Sequence, residues 1–141
     1  MDLTPFRPRL ARVVALGLAL LVVVATAALV VLMPELATLD VSGVVVLAVA
    51  IVWFCWRQAS VAAVPDATGL TVRNLLVTTR LTWPQVVAVR LGDRPWVQLD
   101  LADGDTLAVM GIQRADGERA LTEARRLSTL VAQLSRTDRD D

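Results

Sequence analysis

An uncharged apolar segment near the start of the chain constrains the fold more than any other feature. Residues 13–33 carry no charged side chain over 21 positions, and only Gly17 and Thr26 among them are not hydrophobic. As an α-helix this segment is about 31 Å long, which matches a bilayer hydrocarbon core of about 30 Å. We therefore predict a transmembrane helix at residues 13–33, preceded by a cytoplasmic leader at residues 1–12.

A cleaved signal peptide is the alternative interpretation of this segment. Arg7, Arg9 and Arg12 precede it, and Ala25-Thr26-Ala27 has the small-x-small pattern of a cleavage site. However, the apolar core of a signal peptide is usually only about 7 to 15 residues long, and this segment continues to Met33. The length therefore favours a retained helix.

A second apolar segment covers residues 41–56, after a short external loop at residues 34–40. Its length of about 24 Å as a helix is slightly short for a membrane span, and alone it would also fit a buried helix of a soluble protein. Directly after a strong span, a second crossing is the favoured interpretation. Trp53 and Trp56 would then lie at the headgroup level beside Arg57.

The arginine distribution predicts the orientation of the two helices. Arginines in the leader and Arg57 flank the two helices on one side, whereas the loop at residues 34–40 contains none. By the positive-inside rule, both termini should be cytoplasmic. The sequence thus predicts a multi-pass protein of the cell (inner) membrane.

Composition argues against several classes of function. The chain has 14 basic and 14 acidic residues, which does not favour nucleic-acid binding. It has no His, so it lacks both a ready general base and the commonest zinc ligand. Its single cysteine, Cys55, lies in an apolar run and is predicted to be a buried structural thiol. The aspartates at residues 100–105 lack the spacing of an EF-hand, so we predict no metal site. Without a general base or a recognisable motif, we also predict no catalytic residues and no cofactor.

From Ser60 onward the hydrophobic pattern changes to the period of two that is typical of strands with one buried face. A corner is predicted at Trp83-Pro84, with Trp83 in the core. Asp116 is predicted to cap a C-terminal helix whose buried stripe is Leu121, Ala124, Leu127, Val131 and Leu134. The predicted strands are 61–64, 69–74, 76–81, 86–91, 96–101 and 106–110. We expect a domain at residues 57–136 and a disordered tail at residues 137–141.

These features together resemble the bacterial pleckstrin-homology (PH) domain. The resemblance rests on Gly-Leu-x-Val-Arg at residues 69–73, an arginine-bearing strand, the corner at residues 83–86, a hairpin ending in Asp103-Gly104, and a terminal amphipathic helix. With the two preceding helices, the chain resembles the low molecular weight protein antigen 6 family of small membrane proteins, known mainly from actinobacteria. The resemblance implies an α+β fold, in which a small PH-like antiparallel β barrel or sandwich is capped by a C-terminal α-helix. It implies no enzyme activity.

Two sets of residues are candidates for binding. Trp96 alternates out of phase with its apolar neighbours, so we predict it to be exposed and to contact a partner. Arg73, Arg80, Arg90 and Arg94 could bind a lipid headgroup or another anion. Eukaryotic PH domains that bind phosphoinositides carry basic residues in the first interstrand loop. The corresponding residues 65–68 have none, so solvated strand faces are the favoured role of these arginines.

The sequence therefore predicts a non-catalytic PH-like interaction module, a scaffold or adaptor that is anchored in the lipid bilayer and binds another membrane protein. The alternative is a sensor of lipids or anionic headgroups at the inner leaflet.

Overall fold

The computed structural model describes residues 1–137. Most of the predicted tail, residues 138–141, lies outside the described residues, whereas Thr137 is the last residue of a helix. The chain has an α+β fold with two compact units. Residues Ala11–Ser60 form the helical unit, and Met1–Leu10 together with the chain from Val61 onward form the sheet unit.

The helical unit contains the two expected apolar helices, α1 (Leu10–Leu32) and α2 (Thr38–Ala59). Both are long and apolar enough to cross a membrane. Each helix is longer than predicted, since α1 begins three residues earlier and α2 extends three residues beyond the predicted segment at each end. Cys55 is buried, as predicted.

The sheet unit contains two three-stranded antiparallel sheets, each with its strands in chain order. Sheet A consists of β1 (Ala62–Pro65), β2 (Gly69–Arg73) and β3 (Thr78–Thr82), and sheet B of β4 (Val86–Arg90), β5 (Trp96–Leu101) and β6 (Thr106–Gln113). The expected form was a barrel or a sandwich, and the barrel is wrong, because no ladder joins the two sheets within residues 1–137. A 3-10 turn, Trp83–Gln85, separates β3 from β4, and the free edge of β1 pairs with Phe6 instead of β6.

The predicted corner at Trp83 is confirmed. The Trp83 side chain is buried in the core, and its indole N–H donates a hydrogen bond to the carbonyl oxygen of Asp66 at 2.9 Å. The Ser135 hydroxyl donates to the carbonyl oxygen of Trp83 at 3.0 Å. These two bonds fix the corner between sheet A and the C-terminal helix.

The C-terminal helix, α3, covers Glu118–Thr137 and packs against β4, β6 and both 3-10 segments. Its buried residues are Ala120, Leu127, Leu130, Val131 and Leu134. The predicted stripe was wrong at Leu121, which is half exposed. The helix begins after a 3-10 turn, Arg114–Asp116, and after Gly117 with φ of 64°. The predicted capping role of Asp116 on this helix is therefore wrong as well.

The third strand also differs from its prediction. Residues 76–81 were expected to be extended, but β3 begins only at Thr78, and residues 74–77 form a loop. The Asn74 N–H closes the base of this loop by donating to the carbonyl oxygen of Val77 at 2.9 Å. Asn favours such local turns, and this preference prevails over the strand propensity of the apolar residues that follow.

Candidate interaction surfaces

The N-terminal leader is part of the sheet unit. Phe6 forms an antiparallel bridge with Ala63, in which each residue donates its backbone N–H to the other at 2.8 and 2.9 Å. The Phe6 side chain is completely buried, and so is Pro8. Gly111 on β6 closes the other side, where a Cβ atom would lie 2.7 Å from the Phe6 carbonyl oxygen. The leader thus fills the gap between β1 and β6.

Arg126 of α3 contacts the leader through the Phe6 ring and through the backbone. Its guanidinium carbon lies 3.8 Å from the centre of the Phe6 ring, which is cation–π geometry. One terminal nitrogen donates to the Thr4 carbonyl oxygen at 2.9 Å, and the other forms a salt bridge with Glu123 at 2.7 Å. A planar guanidinium can make these contacts at once, whereas an ammonium group cannot.

Asp116 binds the end of the leader, where α1 begins. Its two carboxylate oxygens accept hydrogen bonds from the backbone N–H groups of Arg9 and Leu10 at 3.0 and 2.9 Å. These donors are the first residue of α1 and the residue before it, and at the start of a helix N–H groups lack partners within the helix and favour a negative charge. Asp116 therefore caps a helix, but the first helix of the chain and not the last.

Sequence reasoning missed the leader because its partners come after both apolar helices. The available signal was Phe6 itself, one of only two phenylalanines, between two prolines in a segment interpreted as a leader. Proline fixes its own φ and disfavours helical backbone in the residue before it, and an aromatic residue in such a segment is suited to edge pairing.

The four candidate arginines do not form one patch. Arg73 and Arg80 share the outer face of sheet A, because Arg73 pairs with Thr78 and Arg80 lies two residues further along β3. Arg90 lies on sheet B and forms a salt bridge with Asp100 at 2.6 Å. Arg94 is exposed in the turn between β4 and β5. The structure thus brings together only the pair on sheet A.

A shallow pocket of about 350 Å³ lies beside Arg80, with Asp66 and Thr68 in its lining. The Asp66 carboxylate accepts hydrogen bonds from the Thr68 hydroxyl and from the backbone N–H groups of Thr68 and Gly69. The Thr68 hydroxyl first, and then these two N–H groups, lower the pKa of Asp66 below its ordinary value of 3.8. A permanent negative charge in the pocket disfavours an anionic ligand there.

Trp96 begins β5 and is half-buried, so it is less exposed than its alternation pattern indicated. Its indole nitrogen is buried and has no hydrogen-bond partner among residues 1–137. A buried donor without a partner costs free energy, which a partner carbonyl could recover. Trp96 stays a candidate contact on this ground, and its role as a contact remains a prediction.

The edges of the two sheets differ in how they are covered. Phe6 covers β1, and the Asn74 side chain covers part of β6, where its amide binds the carbonyl oxygen of Ala108 at 2.7 Å and the N–H of Met110 at 3.1 Å. A register shift interrupts β4. Within the described chain, the outer edge of β3 has no paired strand. Such an edge offers a row of N–H and C=O groups to an extended segment.

Among the described residues, no three His, Cys, Asp or Glu side chains lie together in a group that could hold a metal ion.

Comparison with known proteins supports the fold class. Residues 61–129 match the bacterial PH domain family model. Uncharacterized proteins of Mycobacterium bovis and Mycobacterium tuberculosis are 38% identical over 65 residues, which cover 45% of this chain and 42% of theirs. The chain thus spans less than half the length of these relatives. No solved structure matches significantly. Below, the sheet unit is called the PH-like domain.

Proposed function

We propose that the chain is a membrane-anchored, non-catalytic scaffold or adaptor. Its two apolar helices hold the PH-like domain at the cytoplasmic face of the cell membrane, where it binds an extended segment of another membrane protein. PH domains are in general non-catalytic, which supports an interaction role. Membership of the low molecular weight protein antigen 6 family is part of this proposal.

The position of the leader supports the proposed topology. The chain enters α1 from the leader and leaves α2 into β1, and both of these segments belong to one compact unit. Two crossings return the chain to the side from which it started, as this arrangement requires. Cleavage at residues 25–27, within α1, would separate Phe6 from the sheet unit, which argues against the signal-peptide alternative. The arginine distribution then assigns this side to the cytoplasm.

The observation that carries the proposed binding mode is the uncovered edge of β3. Its residues Thr78, Arg80 and Thr82 are exposed on one face, and its outer edge has no paired strand within the described chain. Addition of a strand to such an edge supplies affinity through main-chain hydrogen bonds. Anchoring raises the effective concentration of this edge toward other membrane proteins. A modest intrinsic affinity of the edge for the partner segment is therefore enough for binding in the membrane.

In-cell photocrosslinking tests the proposal on the full chain. A photoreactive amino acid is introduced in place of Arg80 for the β3 edge or in place of Trp96 for the alternative contact. Ala67, which is exposed in the β1–β2 turn, serves as the control position. A discrete protein adduct at Arg80 and none at Ala67 is expected. An adduct only at Trp96 moves the contact to β5, and the absence of protein adducts at both positions overturns the interaction role.

The second candidate function is a sensor of anionic lipids, favoured by the neighbouring arginines Arg73 and Arg80. Each arginine near an anionic surface contributes about 1 kcal/mol to attraction. The double substitution Arg73→Gln and Arg80→Gln should reduce the anionic lipid retained by the full chain in nanodiscs, measured by native mass spectrometry. The double substitution Arg94→Gln and Arg125→Gln removes two exposed charges outside this pair and is the control. Equal lipid retention in both variants refutes this function.

A further inference from the structure

The loop between β2 and β3 exposes aliphatic side chains. Leu76 is 71% exposed and Val77 is 63% exposed, whereas the neighbouring exposed strand positions are Thr and Arg. Single exposed aliphatic residues are common on protein surfaces, but two adjacent ones at a loop tip form a local apolar projection. We call residues 74–77 the apolar loop.

The base of the apolar loop is held in place. Asn74 closes the loop through its backbone bond to Val77 and also binds β6 through its side-chain amide. The amide oxygen accepts from the N–H of Met110, and the amide nitrogen donates to the carbonyl oxygen of Ala108. The Asn74 amide thus pairs with the β6 backbone through two hydrogen bonds, as a backbone peptide group would. The exposed tip is therefore presented from a fixed base.

The strand register places the apolar loop at the end of sheet A where the chain arrives from α2. Ala62, the first residue of β1, pairs with Arg73, the last residue of β2 before the loop. Only two residues separate Ala62 from Ala59, the end of α2, so their Cα atoms are at most about 10 Å apart. Since the Phe6 bridge is antiparallel, the leader also runs toward the start of β1 on its way to α1. Both covalent connections to the helical unit thus lead to this end of sheet A.

The charges near this end suit an anionic surface. Arg73 adjoins the apolar loop, and Arg7 and Arg9 lie in the leader segment that leads to α1; all three are exposed. None of them forms a salt bridge within residues 1–137. Apolar side chains flanked by unpaired arginines have the composition of a segment that rests in the headgroup region of a membrane.

We propose that the apolar loop inserts Leu76 and Val77 into the interface of the same bilayer that α1 and α2 cross. The inference rests on the proposed membrane anchoring and extends it, because it specifies which end of the PH-like domain faces the lipid. Two spans and one inserted loop give three points of attachment, which fix the tilt of the domain. The turn between β1 and β2, at the opposite end of sheet A, then faces away from the membrane.

The test uses the full chain in liposomes containing anionic lipid, with a single cysteine labelled by an environment-sensitive fluorophore. Cys55→Ala removes the only native cysteine, and Leu76→Cys places the label at the loop tip. Ala67→Cys is the matched control at the opposite end of sheet A, and Trp53→Cys places a label in α2. Quenching is measured with lipids that carry a spin label near the headgroup.

A blue shift and strong quenching at residues 76 and 53, with neither at residue 67, are the expected result. If the label at residue 53 is quenched and those at residues 76 and 67 both remain water-exposed, the anchoring stands and the loop proposal is overturned. A blue shift at residue 76 without quenching by lipid also overturns it, since a protein surface must then cover the loop. If the label at residue 53 is not quenched, the membrane anchoring fails and the loop proposal fails with it.

Discussion

Replacement of Phe6 by alanine tests whether the leader belongs to the folding unit. An aromatic side chain buries about 150–250 Å², which at about 25 cal/mol per Å² corresponds to about 4–6 kcal/mol. Residual burial in the unfolded chain reduces this figure by roughly 10–40%. The Phe6→Ala variant should therefore lose about 3–5 kcal/mol, in line with Phe→Ala substitutions in other cores. Since small domains are stable by only about 5–15 kcal/mol, this loss is a large fraction of the total.

The measurement is denaturant unfolding of the full chain in detergent, followed by tryptophan fluorescence, for which the buried Trp83 is a core reporter. Phe6→Leu retains most of the apolar burial and should lose less than about 1.5 kcal/mol. Leu3→Ala, at an exposed position of the same leader, should change the free energy of unfolding by no more than about 0.5 kcal/mol. A loss below about 1 kcal/mol for Phe6→Ala would contradict the placement of the leader in the core.

Three further predictions concern the surroundings of the leader and the β1–β2 turn. Gly111→Ala should lower the free energy of unfolding by about 1–3 kcal/mol in the same assay, because the new Cβ meets backbone atoms of the leader and β1. Gly92→Ala is the control and should leave the free energy of unfolding nearly unchanged, because its new Cβ meets no atom within 4 Å. Arg126→Met should lower the free energy of unfolding by about 1–3 kcal/mol, because the hydrogen bonds to the leader carbonyls are lost. The exposed neighbour variant Arg125→Met should not lower it. Equal effects of the two variants would refute the role of Arg126 in holding the leader. The lowered pKa of Asp66 predicts a stabilisation that is complete above pH values near 3.8 and is lost as the pH falls through the lower folded-state pKa. The free energy of unfolding of Asp66→Asn should lack this pH-dependent component. Denaturation of both proteins between neutral and acid pH measures the difference.

Much of the fold could be predicted from local patterns. Uncharged length predicted the two apolar helices, and alternation predicted six strands and the corner at Trp83. The largest failures concern long-range pairing. Alternation shows which face of a strand is buried but not which edges meet, so barrel closure was wrongly expected. Asp116 has the sequence context of a cap for the helix that follows it, yet its oxygens bind the start of α1.

The candidate contacts were less predictable than the fold. The sequence identified Arg73 and Arg80 but could not separate this pair from Arg90, because only the strand register and the salt bridge to Asp100 distinguish them. Residues 74, 76 and 77 were interpreted as parts of two strands, since apolar residues such as Leu76 and Val77 occur in both strands and exposed loops. The difference lies in Asn74, whose partners on β6 are more than 30 positions away in the sequence.

The pairing of Phe6 with Ala63 has a consequence for synthesis of the chain. The ribosome releases Phe6 before both apolar helices, but Ala63 and Gly111 emerge only after them. The leader must therefore wait, unpaired, until the helices have been made. On the proposed topology, a chain whose helices insert with their ends on opposite sides of the membrane cannot bring Phe6 to β1, and it leaves a cavity and an open strand edge. Under that proposal, the core is completed only in chains whose two helices insert with both outer ends on the same side.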